Sequence, residues 1–254
     1  MFFELSPPQL IQFQVDGYLI VRQLFDHQEA DALLRLAKSD QVLLQEAYSK
    51  RDASGGESRL AVRNDLDDSP YAAIVRSRRI VKPMEALLGD EVYHYHHKMM
   101  LKEPQVGGAW EWHQDYGYWY NNGCLFPDMA SCLIAVDRAN KANGCLQVIR
   151  GSHKIGRVEH AKTGEQTGAD MVRVEAALAR MELVYCELEP GDAIFFHGNL
   201  LHRSDQNTSE HPRWSLICCY NTRNNDPFLK NGRHPNYSPL EIWDDARVNQ
   251  ILLA

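Results

Sequence analysis

The chain has 254 residues, of which 44% are hydrophobic, so it is long enough to bury a sizeable core in a single domain. Acidic residues outnumber lysine and arginine by 34 to 27, and the net charge of −7 argues against a nucleic-acid partner because phosphate binding needs clustered cations. The sequence contains no apolar run of about 18 residues and no basic leader before an apolar stretch, so we expect neither a membrane span nor a secretory signal.

The six cysteines lie between positions 124 and 219 and form no Cys-x-x-Cys pair. This spacing is typical of reduced, mostly buried thiols rather than of a disulfide framework or a zinc site. We therefore expect a cytoplasmic protein. The oligomeric state is left open by the sequence.

The first 90 residues are predicted to be mostly helical. Ser6 stands before two prolines as a typical helix start, and Gly17 is a typical helix end. Asp26 and Glu29 form a capping box in front of apolar residues at helical spacing. Ser69, again before a proline, predicts a further helix that runs to residue 88.

Strand patterns follow this helix. In the first strand, the alternation of side chains places Tyr93, Tyr95 and His97 on one face and His94 and His96 on the other. His94 and His96 are a rival metal site. We rank this pair lower because no carboxylate at matching spacing accompanies it.

The pair His113 and Asp115 is the main candidate for a metal site. Residues two apart on an extended strand point to the same side, so both side chains can reach one ion. A second imidazole from a distant strand, His202, completes a face of two histidines and one carboxylate. This ligand set leaves three coordination positions open and is associated with non-haem Fe(II) oxygenases.

Arg213 begins an apolar strand that covers residues 214–220, and an arginine in that place needs an anion. If His202 binds iron, Arg213 is placed to hold a carboxylate through a two-pronged hydrogen bond, and the Ser204 hydroxyl can donate a further one. These positions predict a diacid ligand whose other end chelates the metal.

Five linked motifs, in order along residues 90–222, resemble the phytanoyl-CoA dioxygenase family of Fe(II)- and 2-oxoglutarate-dependent oxygenases. The motifs are His113-Gln114-Asp115, the segment 143–153, Pro190-Gly191-Asp192, His202-x-Ser204 and Arg213. The resemblance implies that the cofactors are Fe(II) and 2-oxoglutarate, and that His113, Asp115 and His202 are the iron ligands. It also implies that Arg213 and Ser204 bind the distal carboxylate of 2-oxoglutarate. His97 would lie near the chelating end of this cofactor, and Gln114 would be a polar residue close to the metal.

Three further segments are candidates for shaping the site. Residues 49–68 show no clear period and are predicted to be a loop, which in the resembling family often lies over the active-site mouth. Arg59, Arg63 and Asn64 are therefore candidate substrate contacts, and a solvated surface loop is the alternative. The aromatic residues of segment 116–120 could wall an apolar substrate cavity. A charged loop at 156–168, ahead of a helix from about 170 to 181, is either a lid or a plain connector.

Short strands separated by turn signals, with helices gathered at the front, predict a mainly β fold with flanking helices. The expected architecture is a double-stranded β-helix, which is a jelly-roll or cupin-like barrel. We predict a single oxygenase domain over residues 1–254. In it, residues 1–90 form a mostly helical support, 91–222 the barrel core and 223–254 a C-terminal tail.

The implied reaction is hydroxylation of an unactivated C–H bond of a small molecule by dioxygen, with release of succinate and carbon dioxide. An aspartate at position 115 argues against halogenation, since related halogenases carry a small residue there; desaturation and ring formation stay open.

Two alternative functions are a cupin-like metal enzyme that does not use 2-oxoglutarate and a non-catalytic barrel that only binds a ligand. Ser204 and Arg213 disfavour the first because they would lack an anionic partner, and the complete ligand set disfavours the second.

Overall fold

The computed structural model describes residues 3–229 and 234–254. The α-helices in these ranges are α1 (Pro7–Asp16), α2 (His27–Ser39), α3 (Gln41–Glu46), α4 (Pro70–Val75), α5 (Arg78–Leu88), α6 (Asp115–Trp119), α7 (Met171–Leu178) and α8 (Asp245–Leu252). The β-strands are β1 (Tyr18–Val21), β2 (Tyr48–Arg51), β3 (Glu57–Arg63), β4 (Val92–Lys102), β5 (Trp110–His113), β6 (Met129–Ala135), β7 (Leu146–Ile149), β8 (His160–Thr163), β9 (Gln166–Ala169), β10 (Leu183–Cys186), β11 (Ala193–His197), β12 (His202–Ser204) and β13 (Arg213–Thr222). None of these helices is long and apolar enough to cross a membrane.

Two antiparallel sheets form the body of the fold. The larger has the strand order β1-β11-β6-β13-β4-β3-β2 and the smaller the order β10-β7-β12-β5, while β8 and β9 form a separate hairpin. Apart from β2, β3 and β4, which follow one another in the chain, neighbours in each sheet are distant in sequence, because the chain passes repeatedly from one sheet to the other. This topology, with helices at the side, confirms the predicted mainly β fold of the double-stranded β-helix type.

The apolar side chains are divided among the faces of the two sheets. Leu133 and Ile194 of the larger sheet share one cluster with Val148 of the smaller sheet, so the two sheets pack against each other. The opposite face of the larger sheet packs against α2 and α5 in a second cluster, and α7 covers the outer face of the smaller sheet. The inner faces of both sheets are therefore available to enclose a site.

The helix signals near the N-terminus are confirmed at α1 and α2. Helix α1 begins directly after Ser6 and ends before Gly17, whose φ of 80° lies in the left-handed region that favours glycine. Asp26 and Glu29 make the reciprocal hydrogen bonds of a capping box, at 2.8 and 2.9 Å.

The helix predicted from Ser69 to residue 88 is interrupted, so that prediction is wrong in its middle. α4 ends at Val75 and α5 begins at Arg78, with the Ser77 hydroxyl capping α5. The backbone N–H of Arg78 donates to the carbonyl of Trp243 at 2.8 Å, a partner 165 positions later in the chain. The break is thus stabilised by a tertiary contact that local propensity does not encode.

The loop predicted at residues 49–68 is largely a hairpin, and this prediction is also wrong. Strands β2 and β3 pair with each other, and β3 extends the larger sheet by pairing with β4. Segment 156–168 likewise contains strands, since β8 and β9 form a hairpin there. Charged residues in both segments obscure the alternation of apolar and polar residues that is typical of a strand. The β2–β3 hairpin also depends on the pairing of β3 with β4.

Strand β4 contains an irregularity that changes which side chains face inward. Cys219 pairs with His96, but the next residue of β13, Tyr220, pairs with His94, so Tyr95 is an extra residue opposite the partner strand. A bulge of this kind shifts the alternation of side chains by one position. The faces predicted for this strand are therefore correct before the bulge and reversed after it.

Candidate active site

The three predicted metal ligands come together in the structure. Ligand atoms of His113, Asp115 and His202 all lie within 4.8 Å of one another, and the three side chains are buried. The Nε2 atoms of His113 and His202 are 3.7 and 3.9 Å from Oδ1 of Asp115. Within residues 3–229 and 234–254 no other group of three such side chains meets, so the rival pair His94 and His96 lacks a third ligand.

Strand pairing brings the two imidazoles to the same place. His113 ends β5 and His202 begins β12, and the two residues are direct partners in the register, with ring centroids 4.0 Å apart. Asp115 is the first residue of α6, so the strand predicted to carry both His113 and Asp115 ends at His113. Gln114 between them keeps an extended backbone, with φ −114° and ψ 133°, and the side chains on either side of it still converge.

Backbone carbonyls orient both imidazoles. Nδ1 of His113 lies 2.7 Å from the carbonyl oxygen of Glu111, and Nδ1 of His202 lies 2.8 Å from that of Leu200. A carbonyl can only accept, so each Nδ1 carries the proton and each Nε2 keeps its lone pair for a metal. Burial lowers the pKa of both histidines, which keeps the two rings neutral at physiological pH.

The third ligand, Asp115, is held by Ser131 of β6, whose hydroxyl donates to Oδ2 at 2.9 Å. Oδ1 is left to face the imidazoles. Burial by itself would raise the pKa of Asp115, but the positive charge of Lys98 and the hydrogen bond from Ser131 help to bring it below its ordinary value. Two neutral imidazoles and one carboxylate are thus the donor set presented, and this set fits Fe(II) with three positions left open.

Arg213 is a buried guanidinium that has no acidic partner among the described residues. Its Nη1 donates to the Ser215 hydroxyl at 3.1 Å and its Nη2 to the carbonyl of Gly144 at 2.9 Å, while Nε has no hydrogen-bond acceptor. Burial lowers its pKa to about 10, so it stays protonated at neutral pH. A buried, unneutralised cation of this kind fits the distal carboxylate of a diacid such as 2-oxoglutarate.

Ser204 lies beside Arg213 on the wall of the same cavity and has a partner that the sequence did not suggest. Nζ of Lys102 donates to the Ser204 hydroxyl at 2.9 Å and also to the carbonyl of Asp205. Lys102 is fully buried, and burial together with the charge of Arg213 lowers its pKa well below the ordinary value. The Ser204 hydroxyl therefore accepts from Lys102 and keeps its own proton for another acceptor.

One cavity joins these groups. It encloses about 430 Å³, counting its open mouth, and its polar lining includes all three metal ligands together with Ser204 and Arg213. Most of the remaining wall is apolar, formed by Met100, Trp110, Leu133, Leu146, Phe196 and Ile217. The metal ligands and the predicted anion-binding pair thus face a single space, as a metal-chelating diacid would require.

Gln114 faces away from this cavity, although it stands between two metal ligands. Its amide nitrogen donates to the carbonyls of Gly156 and Asn199 at 2.8 and 2.7 Å, and its oxygen accepts from the N–H of Val158 at 2.7 Å. These bonds satisfy the side chain with backbone groups. Gln114 therefore ties two loops to the start of α6, in contrast to the predicted role near the cofactor.

His97 also lies apart from the cavity, which contradicts its predicted place near the chelating end of 2-oxoglutarate. Its Nδ1 lies 3.0 Å from Nε2 of His94, and its neighbours on the strand, Met99 and Leu101, belong to the cluster on the helical side of the sheet. The bulge at Tyr95 causes this reversal.

The inward residues after the bulge are His96, Lys98 and Met100. Lys98 and Met100 line the cavity, and His96 is buried next to Trp119, with ring centroids 5.9 Å apart. Sequence reasoning missed Lys98 because strict alternation from Tyr93 assigns it to the outer face. The available signal was the spacing of Lys98, Met100 and Lys102. Residues two apart share one face of a strand, so these three lie on the same side whatever the residues before the bulge do.

The other sequence candidates lie outside the cavity lining, including the aromatic residues of segment 116–120 that were predicted to wall a substrate cavity. Tyr118 of segment 116–120 lies 5.5 Å from His113 between ring centroids and donates from its hydroxyl to the carbonyl of Thr167 on β9. Arg59 donates to the backbone carbonyl of Leu44, and Arg63 forms ion pairs with two acidic residues. Neither arginine is part of the cavity lining, so both serve the packing of the hairpin.

Comparison with known proteins identifies the family. The family model for phytanoyl-CoA dioxygenase (PhyH) matches residues 13–215. The chain belongs to the phytanoyl-CoA dioxygenase family. This membership confirms the resemblance seen in the motifs. Together with the cluster of His113, Asp115 and His202, it makes the protein a non-haem dioxygenase whose cofactors are iron and 2-oxoglutarate.

Two curated relatives within this family act on small molecules according to their names. The chain is 32% identical over 197 residues to L-proline trans-4-hydroxylase of Streptomyces griseoviridis, covering 70% of this chain and 71% of the relative. It is 26% identical over 238 residues to ectoine dioxygenase of Bordetella parapertussis, covering 87% and 77%. Among solved structures, EctD from S. alaskensis with 2-oxoglutarate and 5-hydroxyectoine has a TM-score of 0.79 at 24% identity, covering 94% of this chain and 88% of that one. This last likeness supports the fold.

Proposed function

We propose that the protein hydroxylates an unactivated C–H bond of a small molecule, using Fe(II), 2-oxoglutarate and dioxygen and releasing succinate and carbon dioxide. The observation that carries this proposal is the cavity that contains both the histidine–aspartate cluster and Arg213, a buried cation without an acidic partner in the described residues. A metal enzyme without a diacid cofactor would leave Arg213 buried and uncompensated, at a large cost in free energy.

The size of the cavity favours a small substrate. The figure of about 430 Å³ counts solvent at the open mouth, so the space that the walls surround is smaller, and it must house 2-oxoglutarate as well as the substrate. The relatives named for L-proline and ectoine fit this limit. We therefore propose a substrate of similar size rather than a long acyl chain on coenzyme A.

The residues of the chain divide the work of such a reaction. His113, Asp115 and His202 would hold the iron on one side, Ser131 keeps Asp115 oriented, and Arg213 with Ser204 would anchor the far carboxylate of the cofactor. When bound, iron and 2-oxoglutarate supply the activation of dioxygen needed to hydroxylate a C–H bond. The apolar walls exclude bulk water and hold the substrate close to the open face of the metal site.

Asp115 supports hydroxylation over halogenation, because a carboxylate fills the position that a halide would need.

We also propose the cytoplasm as the location of the protein. The six cysteines are all free and buried, which suits a reducing compartment.

The test is an anaerobic absorption titration of the Fe(II)-loaded protein with 2-oxoglutarate. We expect a visible metal-to-ligand charge-transfer band. In the Arg213→Ala variant, the concentration of 2-oxoglutarate that half-saturates the band should rise at least about tenfold, since a charge-assisted contact is worth about 1.5–3 kcal/mol. Bound iron without any band would favour a cupin-like enzyme that does not use 2-oxoglutarate, and a protein that binds no iron would favour a non-catalytic barrel.

A further inference from the structure

Lys98 is a cation on the cavity wall that the proposed use of iron and 2-oxoglutarate leaves unexplained. It lines the cavity, and within the described residues no carboxylate forms an ion pair with it. Its partner on β13 is Ile217, two residues before Cys219. Cys219 pairs with Ser131, and Ser131 donates to Asp115. Lys98 therefore lies at the metal end of the cavity.

The strand register separates Lys98 from the anion site at Arg213. Lys102 is the partner of Arg213, whereas Lys98 is the partner of Ile217, four residues farther along both strands. Four residues of extended chain span about 13 Å. Side chains on one face of a sheet rise roughly parallel to each other, so we take Lys98 and Arg213 to bind different carboxylates.

A count of formal charges indicates what that anion is. The two positive charges of Fe(II) balance the two negative charges of 2-oxoglutarate, and Asp115 balances Arg213. The two histidines count as neutral because each Nδ1–H donates to a backbone carbonyl and each Nε2 is left for the metal. Lys98, which is half-buried, is left as one surplus positive charge on the cavity wall, and a charged Lys102 would only add to the surplus.

We propose that Lys98 binds a carboxylate of the substrate, and that the substrate is a small carboxylic acid whose remaining body packs on the apolar wall. This inference rests on the proposed function and adds the chemical class of the substrate. The larger sheet, which carries Lys98, also contributes Met100, Leu133, Phe196 and Ile217 to the cavity wall, and this apolar surface suits a compact aliphatic or cyclic body.

The test compares matched acids and amides on the iron-loaded protein with 2-oxoglutarate under anaerobic conditions. The charge-transfer band reports a molecule that enters beside the metal, so binding is measured without turnover. The probes are L-proline and L-prolinamide, with further pairs from small cyclic and aliphatic amino acids. We expect at least one acid to perturb the band at a concentration at least about tenfold lower than its amide does. Equal binding of acids and amides, or no binding by any acid, would overturn the proposal.

The Lys98→Met variant removes the charge and keeps an unbranched apolar side chain. We expect it to lose at least about tenfold in affinity for the acid, to bind the amide as before, and to keep the wild-type half-saturation by 2-oxoglutarate. Lys98→Arg should keep the preference for the acid. Lys154→Met, which removes an exposed lysine far from the cavity lining, is the matched control and should behave as the wild type.

Other results separate the possible failures. If Lys98→Met weakens 2-oxoglutarate and leaves the acid unaffected, Lys98 serves the cofactor and the proposal is wrong. If the wild-type protein forms no band with 2-oxoglutarate, the proposed function itself is refuted, and the inference about Lys98 falls with it.

Discussion

At the scale of single residues, the metal site depends on hydrogen bonds from outside the ligand set. Ser131 on the central strand β6 donates to Asp115, and two backbone carbonyls hold the imidazoles in one tautomer. Such partners set both the direction and the basicity of ligands. The site is therefore prearranged by the scaffold.

Removing a ligand should abolish iron binding while the fold is kept. We expect His202→Ala or Asp115→Ala to lose stoichiometric iron and iron-dependent turnover, because two ligands hold a metal far less tightly than three. Iron content after desalting and circular dichroism measure the two effects. His211→Ala, an exposed histidine, is the control, and full iron content in either site variant would contradict the assignment.

Ser131→Ala tests the support of Asp115. Loss of this 2.9 Å hydrogen bond should weaken iron binding about 10- to 100-fold, as for other outer partners of metal ligands. The measurement is the dissociation constant of Fe(II) from a competition titration with a chelator. Ser39→Ala, an exposed serine on α2, should leave that constant unchanged; equal constants for all three proteins would show that Asp115 is oriented by other contacts.

At the scale of elements, strand irregularities and loop anchors decide which side chains reach the cavity. The bulge in β4 turns His97 toward the helical side and Lys98 toward the metal. The side chain of Gln114, in the turn between β5 and α6, donates hydrogen bonds to the loops that contain Gly156 and Asn199. Both features join segments that are distant in sequence.

The position of His97 leads to a prediction of no effect. His97→Gln should leave the affinity for 2-oxoglutarate within about twofold, because the ring lies on the face of the sheet that is turned away from the cavity. The anaerobic titration that shows the loss in Arg213→Ala serves as the measurement. A loss as large as that of Arg213→Ala would restore the role that the sequence suggested.

Gln114→Ala should act mainly on stability. It leaves the N–H of Val158 and the carbonyls of Gly156 and Asn199 without partners in a buried position, and we expect a loss of about 2 kcal/mol or more in the free energy of unfolding. Urea denaturation of the metal-free protein measures this loss. Exposed Gln28→Ala on α2 is the control, and a variant as stable as the wild type but unable to bind 2-oxoglutarate would instead place Gln114 in the cofactor site.

At the scale of the whole molecule, buried neutral histidines link stability to pH. Burial lowers the pKa of His97 and of His197 to about 4 each, and lowers those of the metal ligands as well. In the unfolded chain a histidine titrates near 6.5, so below that pH the unfolded state binds more protons than the folded state.

The stability of the metal-free protein should consequently fall as the pH drops from about 7 to 4. The depressed pKa of Asp115 acts in the same direction, since protonation of that carboxylate also favours unfolding. The urea midpoint measured at several pH values in this range tests the sign. A midpoint that stays constant or rises toward pH 4 would contradict it.

The sequence by itself determined the family, the cofactors and the identity of the metal ligands. These features are encoded in short motifs, because the type of each residue decides whether its side chain can bind a metal ion or a carboxylate. The caps of α1 and α2 were equally readable, because a helix start depends on neighbours within one turn.

Only the tertiary structure decided the face of β4, the break between α4 and α5, and the hairpins at 48–63 and 160–169. Three of them depend on a partner far away in the chain: Tyr95 becomes a bulge because of the pairing with β13, α5 begins where Arg78 meets Trp243, and the 48–63 hairpin joins the sheet through β4. The strands of the hairpin at 160–169 pair with each other. Pairing across distant strands leaves no local period in the sequence. For this reason the sequence could name the iron ligands but assigned His97 to the cavity in place of Lys98.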